Sequence, residues 1–239
     1  MAQDSVGPAR RAGDHGRHGR LSRERVLASA LELVDREGLS ALSMRRLGTE
    51  LGVEAMALYR YAAGKDALLD GLVEALYLEL EDRLAPGSGA GGDWRAGLHR
   101  IALATYEVCL AHPQVVPLLA TRMLAVPLAR RPLAVLREHE RVLVLLSESG
   151  LDEEHIAAAF RDFTAWVLGY VSVELRAMVD NPEETDPAFR LGLHRMPSQE
   201  LPRLREAAPA LAEHRGPEGL AAGLDALLDR HTRAANRER

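Results

Sequence analysis

Cysteine is almost absent: Cys109 stands alone in 239 residues. That excludes an intramolecular disulfide and a thiolate metal cluster, and it fits a reducing cytoplasm. Aromatic residues make up only 4% of the chain, so any cluster of them carries weight. Lysine occurs once, at Lys65, in a chain that otherwise relies on arginine. No apolar run approaches the roughly 18 residues of a membrane span, and Met1 to Arg20 lacks the apolar centre of a signal peptide. Period-two alternation is missing throughout, so the expected class is all-α. Nucleophile elbow, P-loop and paired zinc histidines are missing too, which leaves an enzyme without motif support. The histidines are scattered: His15 and His18 fall near the N-terminus, His139 sits between Glu138 and Glu140, and His155 follows an acidic helix start. No metal site and no cofactor is expected from them.

A net charge of -5 lacks the positive excess of a polyanion binder, but binding depends on local charge. From Arg20 to Lys65 eight basic residues face six acidic ones, a modest reversal of the overall sign. Within that region lies the most telling stretch, Ser43 to Lys65, SMRRLGTELGVEAMALYRYAAGK. Ser43 suits an N-cap, and Met44, Leu47 and Leu51 fall at i, i+3 and i+7 on one helical face. Gly52 can take the left-handed conformation that ends this helix in a sharp turn. A second helix over Glu54 to Tyr61 follows, anchored by Val53 and Leu58. This is the helix-turn-helix pattern, whose second helix enters the major groove. Upstream, Ser22 caps a helix reaching about Glu37, with Leu27, Ala30, Leu31 and Val34 as its buried stripe and Gly38 closing it.

These elements and the strings LSRERVLASALELVDREGLSALSMRRLGTELGV and ALYRYAAGKDALL closely resemble the tetracycline-repressor (TetR) family of bacterial one-component regulators, over roughly Leu21 to Leu84. The family's recurrent Leu-Tyr-x-His-Phe segment, with a Lys three residues later, corresponds to Leu58, Tyr59, Arg60, Tyr61, Ala62 and Lys65. Tyr61 stands in the place of the usual His and keeps a polar tip, whereas Ala62 replaces a bulky apolar residue and should thin the core. The resemblance implies a DNA-binding domain followed by a larger helical domain that binds an effector and dimerises.

The expected organisation is a disordered tail over 1–20, a DNA-binding domain over 21–65 and a helical effector and dimerisation domain over 66–239. Lys65 to Leu84 reads as a connecting helix, with Leu69, Leu72, Val73, Leu76 and Leu80 on one stripe. Gly87, Gly89 and Gly92 have G-x-G-x-x-G spacing, but a helix precedes them instead of a strand, so the segment reads as a linker. Helices are expected over Trp94 to Ala111, Leu133 to Ser149 and Asp152 to Asp180, with a short segment over Val115 to Met123. Prolines break up Asn181 to Gly216 apart from a short turn or helix near Leu201 to Ala207. Pro217 then starts a last helix with Leu220, Leu224, Leu227, Leu228 and His231 on one face.

For duplex contact, Arg60 is the candidate for a guanine edge, with Met56 or Ala57 against a thymine methyl. Ala55 lies on the same helix; Arg45, in the first turn of the preceding helix, resembles a family position that reaches either a base or the backbone, and Met44 beside it is a further DNA-contact candidate. Ser43, Tyr59, Tyr61 and Lys65 suit phosphate and would set register, although both tyrosines can equally be core residues with wet hydroxyls. One such domain makes few contacts, so a homodimer through the helices 152–180 and 217–233 is expected, with Ala157, Ala158, Ala159 and Gly169 permitting close approach. Phe160, Phe163, Trp166 and Tyr170 fall on one arc of a single helix and either fill a core or wall an effector pocket. His99, Tyr106, Arg122, Met123 and His139 are the further lining candidates. The His and loop arrangement with which family members sense tetracycline and magnesium cannot be located in the sequence. The leading reading is therefore a regulator, most often a repressor in such proteins, released from a palindromic double-stranded operator by a small, largely apolar effector. The alternative is an architectural DNA binder without an effector.

Overall fold

A computed structural model describes residues 21–84, 93–123, 126–180 and 200–238, with isolated positions at 185, 192, 195 and 197. The expected tail and most of the glycine linker lie outside the described residues. Among the described residues every regular element is helical. Helix α1 (Arg23–Glu37) starts where the Ser22 hydroxyl accepts from the Arg25 amide and ends at Gly38. A single 3₁₀ turn, Leu39–Ala41, leads to α2 (Met44–Leu51) and α3 (Ala55–Leu58). Helix α4 (Lys65–Arg83) follows, and α5 (Trp94–Ala111) begins the body proper. The short α6 (Val116–Leu118) runs into a π-helical turn, Leu119–Met123. Helices α7 (Leu133–Ser147), α8 (Glu153–Asp180), α9 (Pro202–Ala212) and α10 (Gly216–Glu238) complete the order.

Helix α4 is the spine because it is apolar on more than one side. Leu68, Leu72, Val73, Leu76, Tyr77 and Leu80 are all buried, and the helix packs on α1 as well as on α5 and α7. A single stripe, as the periodicity suggests, would serve only one neighbour; the added burial of Leu68 and Tyr77 supplies the second. Helix α1 likewise buries Val26 and Leu33 beside Leu27, Ala30 and Val34, while Leu31 is only half-buried.

Two expectations need correcting. Glu153–Leu175 is, by length and a hydropathy of 1.2, apolar enough to cross a membrane, so the chain does hold one helix of that composition. In this fold it packs against α5, α7 and α10, burying Ala159, Phe163, Val167, Val171 and Leu175. Helix α9 runs to Ala212, beyond the expected stop near Ala207, and contains Pro209. The side chains described there are exposed, so α9 contributes little to the core.

Candidate functional site

The helix-turn-helix is built from local chemistry. The Ser43 hydroxyl accepts from the Arg46 amide at 3.1 Å, and Gly52 adopts φ 68°, ψ 31°, the left-handed conformation a Cβ would disfavour. The Val53 amide then donates to the Gly48 carbonyl at 2.9 Å, closing the helix with a six-to-one bond. Gly48 itself is the residue the sequence reading passed over. A Cβ there would stand 2.8 Å from the Val53 carbonyl oxygen and 3.3 Å from the Ala55 amide, so its bare Cα lets α2 touch the start of α3. A glycine inside an otherwise good helix was the available signal.

Arginines in this region divide into two groups. Arg23 pairs with Glu74 at 2.6 Å, Arg36 with Glu50 at 3.0 Å, and Arg46 with both Glu37 at 2.5 Å and Glu50 at 3.0 Å. The Arg46 guanidinium holds the Glu37 carboxyl below its ordinary range through their hydrogen bond. Such surface pairs contribute little stability singly; those of Arg36 and Arg46 bridge α1 and α2, and that of Arg23 bridges α1 and α4. Arg45, Arg60 and Lys65 are exposed, and none has an ion pair among the described residues. Around them Met56 is 77% exposed and Tyr59 48% exposed, while Ala55 and Ala57 are half-buried. Lys65 opens α4, whose first N–H groups have no side-chain cap. A cation at that end opposes the helix dipole, so helix stability does not explain the residue.

Two of the expected contacts fall elsewhere. Met44 is buried at 9% exposure, as its inward i, i+3 register requires, and packs instead of facing out. The Tyr61 hydroxyl donates to the Leu21 carbonyl at 2.8 Å, so its proton ties the turn after α3 to the chain entering α1. Ala62 is buried, in the core position where a smaller side chain was expected.

Of the nine expected pocket residues, the eight whose side chains are described do not gather around one cavity. Trp166 Nε1 donates to the Leu220 carbonyl at 3.1 Å, and the Tyr170 hydroxyl donates to the Gly216 carbonyl at 2.6 Å. Their rings rest in notches on α10: a Cβ at Gly223 would overlap the Trp166 ring, and one at Gly219 would lie 2.5 Å from the Tyr170 oxygen. Both are seam residues between α8 and α10. Tyr106 is buried with its ring 6.4 Å from that of Tyr170, and Phe163 is buried core. His99 bonds Asp225 at 2.8 Å and edges an open groove of about 360 Å³ between α5 and α10. Arg122 is committed to Asp66 at 2.5 Å and Asp70 at 2.9 Å, stapling the π-helical turn to the first turns of α4. The Met123 side chain lies outside the described residues.

His139 and Phe160 do meet, edge to face, with ring centroids 5.2 Å apart. Beside His139 is Glu138, which the sequence reading did not select. Both are buried, at 7% and 5% exposure, and neither His139 nitrogen nor Glu138 Oε1 has a hydrogen-bond partner. Desolvation pushes the Glu138 carboxyl up to about 7, against the pull of Arg141. It pushes His139 down to about 4, with Arg131 adding to the effect. A cleft of about 110 Å³ is lined by Asp70, Val73, Arg122, Arg130, Arg131 and Val135, and by neither Glu138 nor His139. His112 was also missed. Its Nδ1 meets Asp35 at 2.7 Å and its Nε2 meets Glu79 at 2.8 Å, joining the ends of α1 and α5 across α4.

Comparison with known proteins agrees with this architecture. Residues 26–72 match the family described as bacterial regulatory proteins, tetR family, and residues 85–229 match the tetracyclin repressor-like C-terminal domain. The HTH-type transcriptional repressor DrrR1 of Streptomyces coeruleorubidus is 32% identical over 155 residues, covering 65% of this chain but only 54% of that protein. The chain thus matches about half the length of that relative. The tetracycline repressor protein class C of Escherichia coli is 27% identical over 211 residues, 87% of this chain and 92% of that one. A TetR variant from Acinetobacter baumannii AYE, solved in complex with minocycline, is 25% identical with a TM-score of 0.64, covering 90% of this chain and 99% of its own.

Proposed function

Because this chain belongs to the tetR family of bacterial regulatory proteins, we propose that it is a repressor whose homodimer grips a near-palindromic duplex and lets go when a small molecule enters the helical body. The observation that carries this reading is the division of cations in α1 to α4. Arg23, Arg36 and Arg46 are neutralised by glutamates, whereas Arg45, Arg60 and Lys65 remain exposed around α2 and α3. Unpaired surface cations cost nothing in water and release counterions when they meet phosphate.

In this proposal Arg60 reads a guanine edge, Met56 and Ala57 pack on thymine methyls, and Ala55 and Arg45 lie close to the bases. Ser43, Tyr59 and Lys65 hold phosphates. Two copies of α3 about 34 Å apart would fit successive major grooves. The dimer seam is the outer face of α8 with α10. Ala165, Gly169 and Val173 are exposed there, and nothing in the subunit lies within 4 Å of a Cβ built at Gly169, which favours close approach of a second helix. Helix α4 is the lever: Arg122 couples it to the body through Asp66 and Asp70, so a shift around the π-helical turn reaches Lys65. A differential affinity of a few kcal/mol between two α4 positions suffices to switch binding.

The test is selection of bound duplexes from a random-sequence pool by the full chain, followed by sedimentation of the complex. The expected product is an inverted repeat bound by an even number of chains. An unenriched pool at low salt would end the proposal. Enrichment of bent but sequence-tolerant DNA would instead favour the architectural alternative.

A further inference from the structure

We infer that His112 is a proton-operated clamp between the DNA-binding domain and the helical body, so that the charge on one imidazole sets how firmly the duplex is held. The inference rests on the regulator reading above and gives it a control. His112 ends α5, its amide donating to the Val108 carbonyl at 3.1 Å, and its side chain is only 15% exposed. On one side Nδ1 lies 2.7 Å from Asp35 Oδ2 on α1, and on the other Nε2 lies 2.8 Å from Glu79 Oε2 on α4. The ring thus joins three helices. Asp35 stands in the last turn of α1, where a carboxylate opposes the helix dipole, so the stability of α1 does not account for it. Its neighbours carry the link onward: Arg36 pairs with Glu50 and Glu37 with Arg46, both on α2, and α2 touches the start of α3 at Gly48.

Hydrogen counting fixes the state of the ring. An ionised carboxylate only accepts, and a neutral imidazole has a single N–H. Two carboxylate contacts on one ring therefore need either the imidazolium or a protonated acid. Burial raises the Glu79 carboxyl, but hydrogen bonds from Arg83 and His112 prevail and hold it below its ordinary range, so Glu79 accepts. The surrounding charges favour the imidazolium as well. Arg83 on α4 bonds Glu79 at 2.9 Å and reaches Glu107 on α5 at 3.5 Å, which sets one guanidinium against the carboxylates of Asp35, Glu79 and Glu107. Gln114, which faces Gly38 at the end of α1, is neutral. A positive ring lessens the negative excess. When the ring gives up its second proton, one contact sets a bare nitrogen against a carboxylate oxygen and opens. Either way a helix that carries the reading domain is freed from α5. Histidine makes this change between about pH 5 and 8. The two reading helices of a dimer then lose their fixed spacing, and a two-headed grip weakens.

The test takes the full chain, labelled with ¹⁵N-histidine, and the duplex that it selects from a random pool. At about pH 6 both His112 ring nitrogens should carry hydrogens, and one hydrogen should be gone by about pH 8. Duplex affinity should fall over the same interval by at least about fivefold, the low end of the usual range for coupled sites. Other histidines titrate there too, so two substitutions isolate this one. Asp35→Asn offers the ring an amide that donates as well as accepts, which should keep the joint closed and shrink the fall to about twofold or less. His112→Gln should flatten the profile likewise, at an affinity below that of the parent at pH 6. A merely structural histidine would lower affinity by one factor at every pH and leave the profile unchanged. Should one variant fail to fold, the other carries the comparison. A His112 ring with a single hydrogen at pH 6 overturns the inference, and so does a fall that survives the substitutions. A duplex held alike by the parent at both pH values ends the inference and spares the regulator reading, whereas a chain that retains no duplex at any pH ends both.

Discussion

Both halves of the molecule leave polar groups without protein partners, but one half leaves them in water and the other inside. At the helix-turn-helix the unpaired groups are Arg45, Arg60 and Lys65, all exposed. In the body they are Glu138 Oε1 and the two ring nitrogens of His139, on side chains more than nine-tenths buried, while Glu138 Oε2 meets Arg141 at 3.5 Å. Water solvates the first set at no cost to folding. The second set loses its solvation and shows it as two pKa displacements of opposite sense. The surface set fits the highly charged partner proposed for it, whereas the interior set bears a desolvation penalty that no protein hydrogen bond offsets.

The largest effect that bears on this contrast is expected at Gly48. Gly48→Val drives side-chain atoms into the Val53 carbonyl, which a Cβ alone would approach to 2.8 Å. The turn between α2 and α3 should open at a cost of about 3 kcal/mol. Duplex affinity should then fall more than about a hundredfold with the far-ultraviolet spectrum of the body retained, a fall measurable by fluorescence anisotropy. Undiminished affinity would mean that α3 is not positioned by α2.

Arg60→Ala comes next. Losing one bidentate base contact costs about 1 to 3 kcal/mol and relaxes the sequence preference at a single position, which repeated selection with the variant would display. A uniform loss across all sequences would move Arg60 to the phosphate group.

The interior pair is sharpened by pH. Between pH 4.5 and about 7 the folded chain keeps a proton on Glu138 that the unfolded chain has released. The Glu138 contribution is therefore full below pH 4.5 and is lost as pH rises through about 7. His139 runs the other way: its contribution is full above pH 6.5 and is lost as pH falls through about 4. The two slopes offset each other where the windows overlap. Glu138→Gln should expose the histidine slope, so that stability falls on acidification below pH 6.5. His139→Leu should expose the glutamate slope, with stability falling as pH climbs from 4.5 to 7. Each slope should integrate to on the order of 2 kcal/mol in urea melts across pH. Identical profiles for the parent and both variants would show the pair to be solvated after all.

Lys65→Gln should have the smallest effect. It removes one phosphate contact, weakens binding about equally for all duplexes and lowers the salt slope by about 1. An unchanged slope would place Lys65 away from the backbone.

How much was legible in advance depended on the distance over which each feature is decided. The cap at Ser43, the turn at Gly52 and the inward register of Leu47 and Leu51 involve neighbours within one or two turns, and the structure has them as the periodicity implies. The same register argument already placed Met44 inward, so its inclusion among the contacts conflicted with the pattern itself. Tyr61 could not be settled locally because its hydroxyl partner, the Leu21 carbonyl, is 40 residues away. Trp166 and Tyr170 were read as core or pocket wall. The choice was made by bare notches at Gly223 and Gly219 on another helix. Arg122 lines a cleft, as a pocket residue should, but the carboxylates 52 and 56 residues earlier that hold it there could not be read locally.

By itself, then, the order of residues determined the all-helical class, the helix-turn-helix and its family, because caps, glycine turns and a 3.6-residue period are short-range interactions that any window of chain displays. Only the tertiary structure decided which arginines are spent on glutamates, which aromatics serve the α8–α10 seam, and that Glu138 Oε1 and the His139 nitrogens are buried without partners. Those outcomes depend on desolvation and on contacts between segments far apart in the chain, where burial is a property of the packed molecule and not of any stretch within it.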